Sequence, residues 1–311
     1  MNNEENDIER QELAQRVGKN GDRILMEYFD DIGLANKTNN EINDLINRLR
    51  ICGVDIKKVF SECGRDSTLK TRVDRNQAIA IVFGFFRKFG IDVSKLLEEG
   101  KKSNESGQTV YLSFNKGVKR NETTSPTFAG EDVHAYTKET GTLTDAYSLV
   151  HEISHTLYVQ NQFGEARMIL GEVIPQCMER MLDGYLIELA ERKEIYMNVE
   201  CLKKDIIKRK ISTAIDRFRM ASRIAKGEYK FASEKAEFSR YMLAQIYATN
   251  LMKVDKSIQK QRIFDFIEAL KSNDIKKAND AFDMQIGKEQ SKERDRYISN
   301  KIGRAHSELQ S

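Results

Sequence analysis

The stretch TGTLTDAYSLVHEISHTLY, residues 140–158, sets the architecture that the rest of the chain must accommodate. Its apolar positions recur every fourth residue, which is typical of the buried face of an α-helix. These positions are Leu149, Ile153 and Leu157. His151 and His155 show the same spacing, so their imidazoles lie on one helix face, one turn apart. The pattern predicts a helix that ends near Leu157 and presents both histidines to a cleft.

The start of this helix carries a capping signal. Thr142 and Asp145 have the spacing of a capping box, in which each side chain bonds to the backbone of the other residue. We therefore expect the Thr142 hydroxyl to accept the Asp145 amide hydrogen, and the Asp145 carboxylate to accept the Thr142 amide hydrogen.

The two histidines belong to a motif that binds metal. Residues 150–155 read VHEISH and contain the pattern H-E-x-x-H. Two imidazoles four residues apart can bind one Zn²⁺ at about 2.0–2.1 Å each. Glu152 follows the first histidine directly, and its carboxylate can reach a water on the metal. The motif predicts a single zinc ion held by His151 and His155, with Glu152 as general base.

A catalytic zinc site uses three protein ligands, so a third must come from elsewhere in the chain. His134 is one candidate, in a predicted strand upstream. Glu172 is the other, 17 residues after His155, if a turn near 162–164 lets its helix fold back. Spacing favours Glu172 but leaves both candidates open. Glu179 follows seven residues later on the same helix face, where it could accept the outer N–H of a metal-bound histidine.

Helical patterns dominate the remaining sequence, which has only two prolines. Asp74 or Asn76 can start one helix and Gly90 can end it. Pro175 is expected to kink another helix, and the basic segment at 203–210 is expected to be a solvated helix face. The predicted helices lie at about 5–50 with a break near 33–40, then at 54–63, 166–191, 200–225, 232–253, 258–272 and 275–300, and the predicted strands at 109–114 and 133–138.

Composition excludes several classes of partner. The 311 residues carry a net charge of only +3, which gives no argument for binding nucleic acid or an anionic membrane. No run reaches about 18 apolar residues, and the polar N-terminus lacks the pattern of a secretory signal. The four cysteines are scattered, as is typical of reduced thiols in a cytosolic protein. We therefore expect a cytoplasmic protein with no membrane span.

Several segments together resemble the oligoendopeptidase F and thimet oligopeptidase family of zinc metallopeptidases. Residues 140–158 are similar to the segment leading into and through that family's zinc helix. LGEVIPQCMERMLDGYL, residues 170–186, resembles its second metal helix. VYLSFNKGVKR, YATNLMK and FDFIEALKSND are similar to the lead-in to its substrate-edge strand and to its C-terminal helices. The likeness covers roughly residues 78–285.

The resemblance implies a site and a fold. Its zinc ligands would be His151, His155 and Glu172, with Glu152 as base. It implies a mostly α, helical metallopeptidase fold with a small β-sheet beside the zinc helix, and extended substrate pairing with the sheet edge near 133–138. It also implies that a downstream tyrosine binds the oxyanion. Tyr241 is our choice and Tyr247 the alternative, because both lie in EFSRYMLAQIYATN.

The chain departs from the family at three points. The gap between the second histidine and Glu172 is shorter, the region before the zinc helix is much shorter, and the family's downstream histidine has no counterpart. The last two departures leave open the control of substrate size and the full set of oxyanion ligands.

The sequence thus predicts a zinc-dependent endopeptidase that hydrolyses oligopeptides. Residues 1–75 would form an N-terminal helical region, 76–300 the catalytic domain, and 301–311 a non-native or disordered tail. Three other interpretations stay open: a catalytically inactive zinc-binding protein derived from a peptidase, a hydrolase of other amides, and a metal-free helical interaction protein.

Overall fold

The structure, a computed structural model, describes residues 71–91, 93, 140–158, 165–230 and 232–282, the backbone of three strands between 110 and 138, and separate positions between 34 and 69. Helices account for most of these residues, so the predicted mostly α fold class is confirmed. In chain order the helices are α1 (Arg75–Lys88), α2 (Thr144–Thr156), α3 (Glu165–Leu170), α4 (Val173–Glu191), α5 (Val199–Ala225), α6 (Ala232–Leu251), α7 (Lys256–Lys271) and α8 (Ile275–Ala281).

Helix α1 begins and ends where its sequence predicts. Asp74 Oδ1 accepts the Gln77 amide hydrogen at 2.8 Å, and Gln77 Oε1 accepts the Asp74 amide hydrogen at 3.0 Å. Gly90, with φ of +75°, adopts the left-handed conformation that ends many helices. A Cβ atom at Gly84 would lie 2.3 Å from the Tyr185 hydroxyl oxygen, so a larger residue there would displace the Tyr185 side chain where α1 approaches α4.

Three strands lie between α1 and α2 in the sequence: β1 (Val110–Asn115), β2 (Ser125–Pro126) and β3 (Val133–Lys138). Their order is β1-β3-β2, with β1 parallel and β2 antiparallel to β3. Val110 pairs with Val133, and Ser125 with His134. The strand side chains are outside the described part of the chain. β3 is the central strand, paired with β1 along its whole length and with β2 at Val133 and His134, so the sheet edge predicted near 133–138 is wrong at those two residues. Substrate binding to the sheet stays a prediction.

Helix α2 begins without the predicted capping box. The Asp145 carboxylate accepts hydrogens from the Thr140 amide at 2.9 Å, the Thr140 hydroxyl at 2.6 Å and the Gly141 amide at 2.9 Å. Because Gly141 has a φ of +65°, the backbone turns so that these upstream donors face the carboxylate in place of the Thr142 amide. The end of the helix agrees with the prediction, since its C-cap residue is Leu157.

The helix predicted over 166–191 is interrupted. Gly171 and Glu172 form a turn between α3 and α4. Pro175 lies in the first turn of α4, where its missing amide hydrogen is tolerated, so the predicted kink is wrong. A continuous helix would set the Pro175 ring against the carbonyl four residues earlier, which is that of Gly171. The interruption places Glu172 at the amino end of α4.

The two helices that carry the candidate ligands occupy the centre of the fold. Helix α2 packs against α1 and α4, and α4 packs in turn against α5 and α6. Leu149 and Ile153 are fully buried and Leu157 partly buried, as the apolar stripe predicts. Asp205 of α5 accepts hydrogens from the backbone and hydroxyl of Thr71 at 2.7 and 2.6 Å, which attaches α5 to the segment before α1.

Of the remaining predicted elements, one is wrong and the others lie outside the described residues. Leu34 and Thr38 are helical, and the Thr38 hydroxyl donates to the Leu34 carbonyl at 2.9 Å, so the break predicted near 33–40 is wrong at these positions. Helix 54–63, the turn at 162–164, the helix beyond 282 and the tail at 301–311 lie outside the described residues, and the predicted domain boundaries stay predictions.

Two of the four cysteines are described. Cys177 is buried in α4, Cys201 is exposed, and both are free thiols. Among the described residues, no helix combines the length and the apolar character needed to cross a bilayer. The cytoplasmic location stays a prediction.

Candidate metal centre

The side chains of His151, His155 and Glu172 converge between α2 and the start of α4. One potential ligand atom from each lies within 4.8 Å of the other two. His155 Nε2 is 3.2 Å from His151 Nε2, and these two nitrogens lie 3.7 and 3.4 Å from the carboxylate oxygens of Glu172. Two imidazole nitrogens and a carboxylate form a ligand set used by zinc hydrolases.

Each imidazole is oriented through its outer nitrogen. His151 Nδ1 is 2.6 Å from Glu179 Oε1, and because an ionised carboxylate only accepts hydrogen bonds, this nitrogen donates. His155 Nδ1 is 2.9 Å from the Tyr158 hydroxyl, whose own hydrogen bonds to the Gly171 carbonyl, so this nitrogen donates as well. In the neutral imidazoles, both Nε2 atoms therefore carry lone pairs that face Glu172.

The cluster attracts positive charge. Glu172 Oε2 is buried and accepts no well-oriented hydrogen bond within the described part of the chain. Burial opposes its ionisation, yet positive charge on His155, on His151 and on Arg217 lowers the pKa of Glu172 to about 2. Burial likewise opposes protonation of His151, but contacts with Glu172 and Glu179 raise its pKa well above the usual value. A divalent zinc ion fits this donor set, because it satisfies three converging electron-pair donors at once.

Glu172 reaches the histidines because the helix is interrupted just before α4. Tyr158, which is 1% exposed, donates its hydroxyl hydrogen to the carbonyl of Gly171. The same hydroxyl oxygen contacts His155, so one side chain links the end of α2 to the turn that carries Glu172.

Helix α5 holds Glu179 in place. Arg209 Nη1 donates to Glu179 Oε2 at 2.7 Å, and Arg209 Nη2 donates to Asp183 Oδ1 at 3.0 Å. The Tyr147 hydroxyl donates to the same Asp183 oxygen at 2.7 Å, and its ring centroid lies 3.9 Å from the guanidinium carbon. The contact with His151 Nδ1 agrees with the prediction that Glu179 accepts the outer N–H of one of the two histidines.

Tyr241 lies within electrostatic range of both Glu172 and Glu152. Glu152 is 6% exposed and belongs to the buried face of α2. Burial raises the pKa of the Tyr241 hydroxyl, Glu172 raises it further and Glu152 adds a smaller effect, while Arg217 lowers it. The hydroxyl therefore keeps its hydrogen at neutral pH and can donate a hydrogen bond.

Tyr247 occupies a different environment. It is 0% exposed, and its hydroxyl donates to the side-chain oxygen of Asn279. Its ring packs against Phe266 and Phe282 at centroid distances of 5.7 and 5.4 Å. Tyr247 thus lies in the apolar core. Of the two tyrosines, Tyr241 is the one near Glu172 and Glu152.

The structure describes the side chain of only one of the two third-ligand alternatives. Glu172 is in the cluster, whereas His134 lies in β3, whose side chains are not among the described ones. Sequence reasoning missed Tyr158, Arg209 and Arg217. The spacing of Tyr158, three residues after a histidine on one helix face, was a usable signal. Arg209 lies in the segment predicted as a solvated face, yet it is mostly buried because two carboxylates neutralise it.

Comparisons with protein-family models, with curated proteins and with solved structures found no match to this chain. The likeness to the oligoendopeptidase F family therefore stays an interpretation of the residues themselves.

Proposed function

We propose that this chain is a zinc-dependent peptidase that hydrolyses peptide bonds in oligopeptides. The observation that supports it most directly is the convergence of His151, His155 and Glu172, with both histidines oriented through their outer nitrogens. A purely structural helix pair has no need for three electron-pair donors that face one another at its centre.

The chain's own residues would divide the chemistry among them. His151, His155 and Glu172 hold the ion, which when bound supplies Lewis-acid chemistry and makes water acidic enough to ionise near pH 7. Glu152 takes the proton of the attacking water and delivers it to the leaving amine. The Tyr241 hydroxyl donates a hydrogen bond to the oxygen of the attacked carbonyl as negative charge develops there.

The extended part of the substrate would bind to the small sheet. A peptide added on the β2 side of β3, beyond the two residues that β2 pairs, would satisfy its backbone groups through strand pairing, while side-chain pockets set the preference for residues. Substrate binding to the sheet is part of the same proposal and rests on the resemblance to the oligoendopeptidase F family.

A buried glutamate between two candidate ligands favours an enzyme over an inactive zinc-binding protein. A purely structural site has no use for Glu152, since burying an ionisable group has a free-energy cost.

The test combines zinc analysis with hydrolysis of a quenched fluorescent peptide series, with and without a chelator. Glu152→Gln should keep one zinc per chain and lose about two to four orders of magnitude in kcat, as expected for removal of a general base. Glu188→Gln is the matched control, because Glu188 lies away from the cluster. Its carboxylate is 2.5 Å from Lys88 Nζ. Near wild-type hydrolysis by Glu152→Gln, or chelator-resistant cleavage, would refute the proposal.

A further inference from the structure

A cavity opens behind His151 between α4, α5 and α6. Its volume is ≈ 60 Å³, and it is partly open to solvent. We call it the basic cavity. Its wall contains four cations and one carboxylate among its residues, which are Arg180, Arg209, Lys210, Arg217, Glu179, His151, Gln176, Thr213 and Gln245. Because His151 is both a candidate zinc ligand and part of this wall, an occupant of the cavity would lie next to the metal centre.

The cationic residues of the wall are only partly neutralised. Arg209 pairs with Glu179 and Asp183, and Lys210 Nζ lies 3.2 Å from Asp183 Oδ2. Arg180 and Arg217, by contrast, form no ion pair with any carboxylate of the described residues. Two guanidinium groups, which stay charged at every physiological pH, thus line one cavity without an ion-pair partner among the described residues.

Hydrogen-bond donors in the wall also lack partners. Gln176 is only 5% exposed, and its Nε2 atom has no hydrogen-bond partner among the described residues. The same holds for Arg217 Nε. Gln245 Oε1, an acceptor in the same wall, also lacks a partner among the described residues. Buried polar groups in folded proteins are nearly always bonded to something, so the two donors point to a ligand that accepts hydrogen bonds.

Arg217 connects the cavity to the candidate catalytic residues. Its guanidinium carbon lies 4.5 Å from the ring centroid of Tyr241. An anion bound by Arg217 would therefore lie close to the tyrosine that we propose as the oxyanion donor.

We propose that the basic cavity binds a carboxylate of the peptide substrate, so that the enzyme selects peptides by a negative charge near the cleaved bond. The inference rests on the proposed peptidase function. Planar carboxylates match the paired N–H groups of arginine, and both sources of a carboxylate, the C-terminus and an acidic side chain, offer the same chemistry.

The electrostatic balance of the wall supports this choice. Burial lowers the pKa of Arg180, and the neighbouring Arg209 lowers it further. Burial also lowers the pKa of Arg217, against the raising effect of Tyr241, Glu179 and Glu172. A bound anion would relieve the cost of holding these cations together.

The test measures binding to the zinc-loaded Glu152→Gln protein, which should not cleave its ligand. Fluorescence anisotropy would compare one labelled peptide as free acid and as C-terminal amide, and an amide carrying one added glutamate. We expect the free acid to bind about tenfold or more tightly than the plain amide. Recovery of affinity by the added glutamate would identify the side chain as a second source of the carboxylate.

Variants assign the effect to the cavity. In the same background, Arg180→Gln and Arg217→Gln should each lose the preference, with zinc content and circular dichroism confirming an intact fold. Arg219→Gln, an exposed neighbour on α5 that pairs with Asp216, should keep it. Equal binding of all three peptides by the parent protein, or a preference that survives both cavity substitutions, would overturn the proposal.

The failure of the proposed function would look different. If the wild-type protein cleaves neither peptide, yet the carboxylate preference persists and maps to Arg180 and Arg217, the peptidase proposal fails and carboxylate binding stands. If both peptides are cleaved and bound equally, the peptidase proposal stands and the role of the cavity fails.

Discussion

Glu179 Oε1 lies 2.6 Å from His151 Nδ1, and the other oxygen of the same carboxylate accepts a hydrogen from Arg209 at 2.7 Å. The carboxylate thus receives a hydrogen bond from each side and fixes the direction in which His151 Nε2 points. Burial opposes its charge, but contact with His151 and the charge of Arg209 lower the pKa of Glu179, so it is ionised at neutral pH.

Glu179→Gln should weaken zinc binding by about 10- to 100-fold, because the amide holds the imidazole less firmly and makes it a weaker base. Competition against a fluorescent zinc chelator would measure the dissociation constant. The surface variant Glu188→Gln provides the baseline. Unchanged affinity in Glu179→Gln would show that the orientation of His151 does not depend on this carboxylate.

The third ligand can be assigned by zinc content alone. Glu172→Gln and His155→Ala should each lose the stoichiometric zinc, since each removes one of three converging donors. His134→Asn should retain it. Elemental analysis after dialysis against a weak chelator would decide between the candidates. Loss of zinc in His134→Asn with retention in Glu172→Gln would reverse the assignment.

Tyr241→Phe should lower kcat by about 10²- to 10³-fold with little change in zinc content, as expected when one oxyanion donor is removed. Tyr247→Phe is the matched control, because it removes the same hydroxyl group from the core. It should cost about 1–3 kcal/mol in free energy of unfolding, since Asn279 loses a buried partner, and leave kcat near wild type. Equal kcat losses in the two variants would exclude a specific role for Tyr241.

The Tyr147 hydroxyl makes stability depend on alkaline pH. Burial raises its pKa well above 10.0, and Asp183 raises it further. The folded-state pKa exceeds the unfolded value of about 10, so this contribution is complete below pH 10 and is lost as pH rises above it. Tyr147→Phe should be less stable than wild type at pH 8, and the difference should narrow by pH 10.5.

Urea unfolding followed by circular dichroism at the two pH values would measure this narrowing. Tyr196→Phe, at an exposed position, should follow the wild-type curve. A constant difference between Tyr147→Phe and wild type at both pH values would contradict the prediction.

Local patterns predicted the parts of the fold that local physics decides. Histidines four residues apart on an apolar-striped helix, and the Asp74 cap of α1, depend on contacts within about one turn. The pairing of Glu179 with a histidine also followed from spacing, because seven residues make two turns of helix.

Contacts between residues far apart in the sequence determine the features that local patterns did not predict. The basic segment at 203–210 has the composition of a solvated face. Arg209 can be buried because the distant carboxylates of Glu179 and Asp183 neutralise its charge. The break before α4 was equally hidden, since residues on both sides of it favour a helix. The available signal is Pro175, four residues after Gly171, but a proline at this position is equally consistent with a kink within one helix.

The Tyr158 hydroxyl touches both halves of the ligand set. Its hydrogen goes to Gly171, next to Glu172, and its oxygen receives the Nδ1 hydrogen of His155. A rotation of this ring would therefore misalign an imidazole and release a backbone turn in the same movement. Under the proposed zinc site, we therefore expect metal affinity and the closure of the α2–α4 junction to change together.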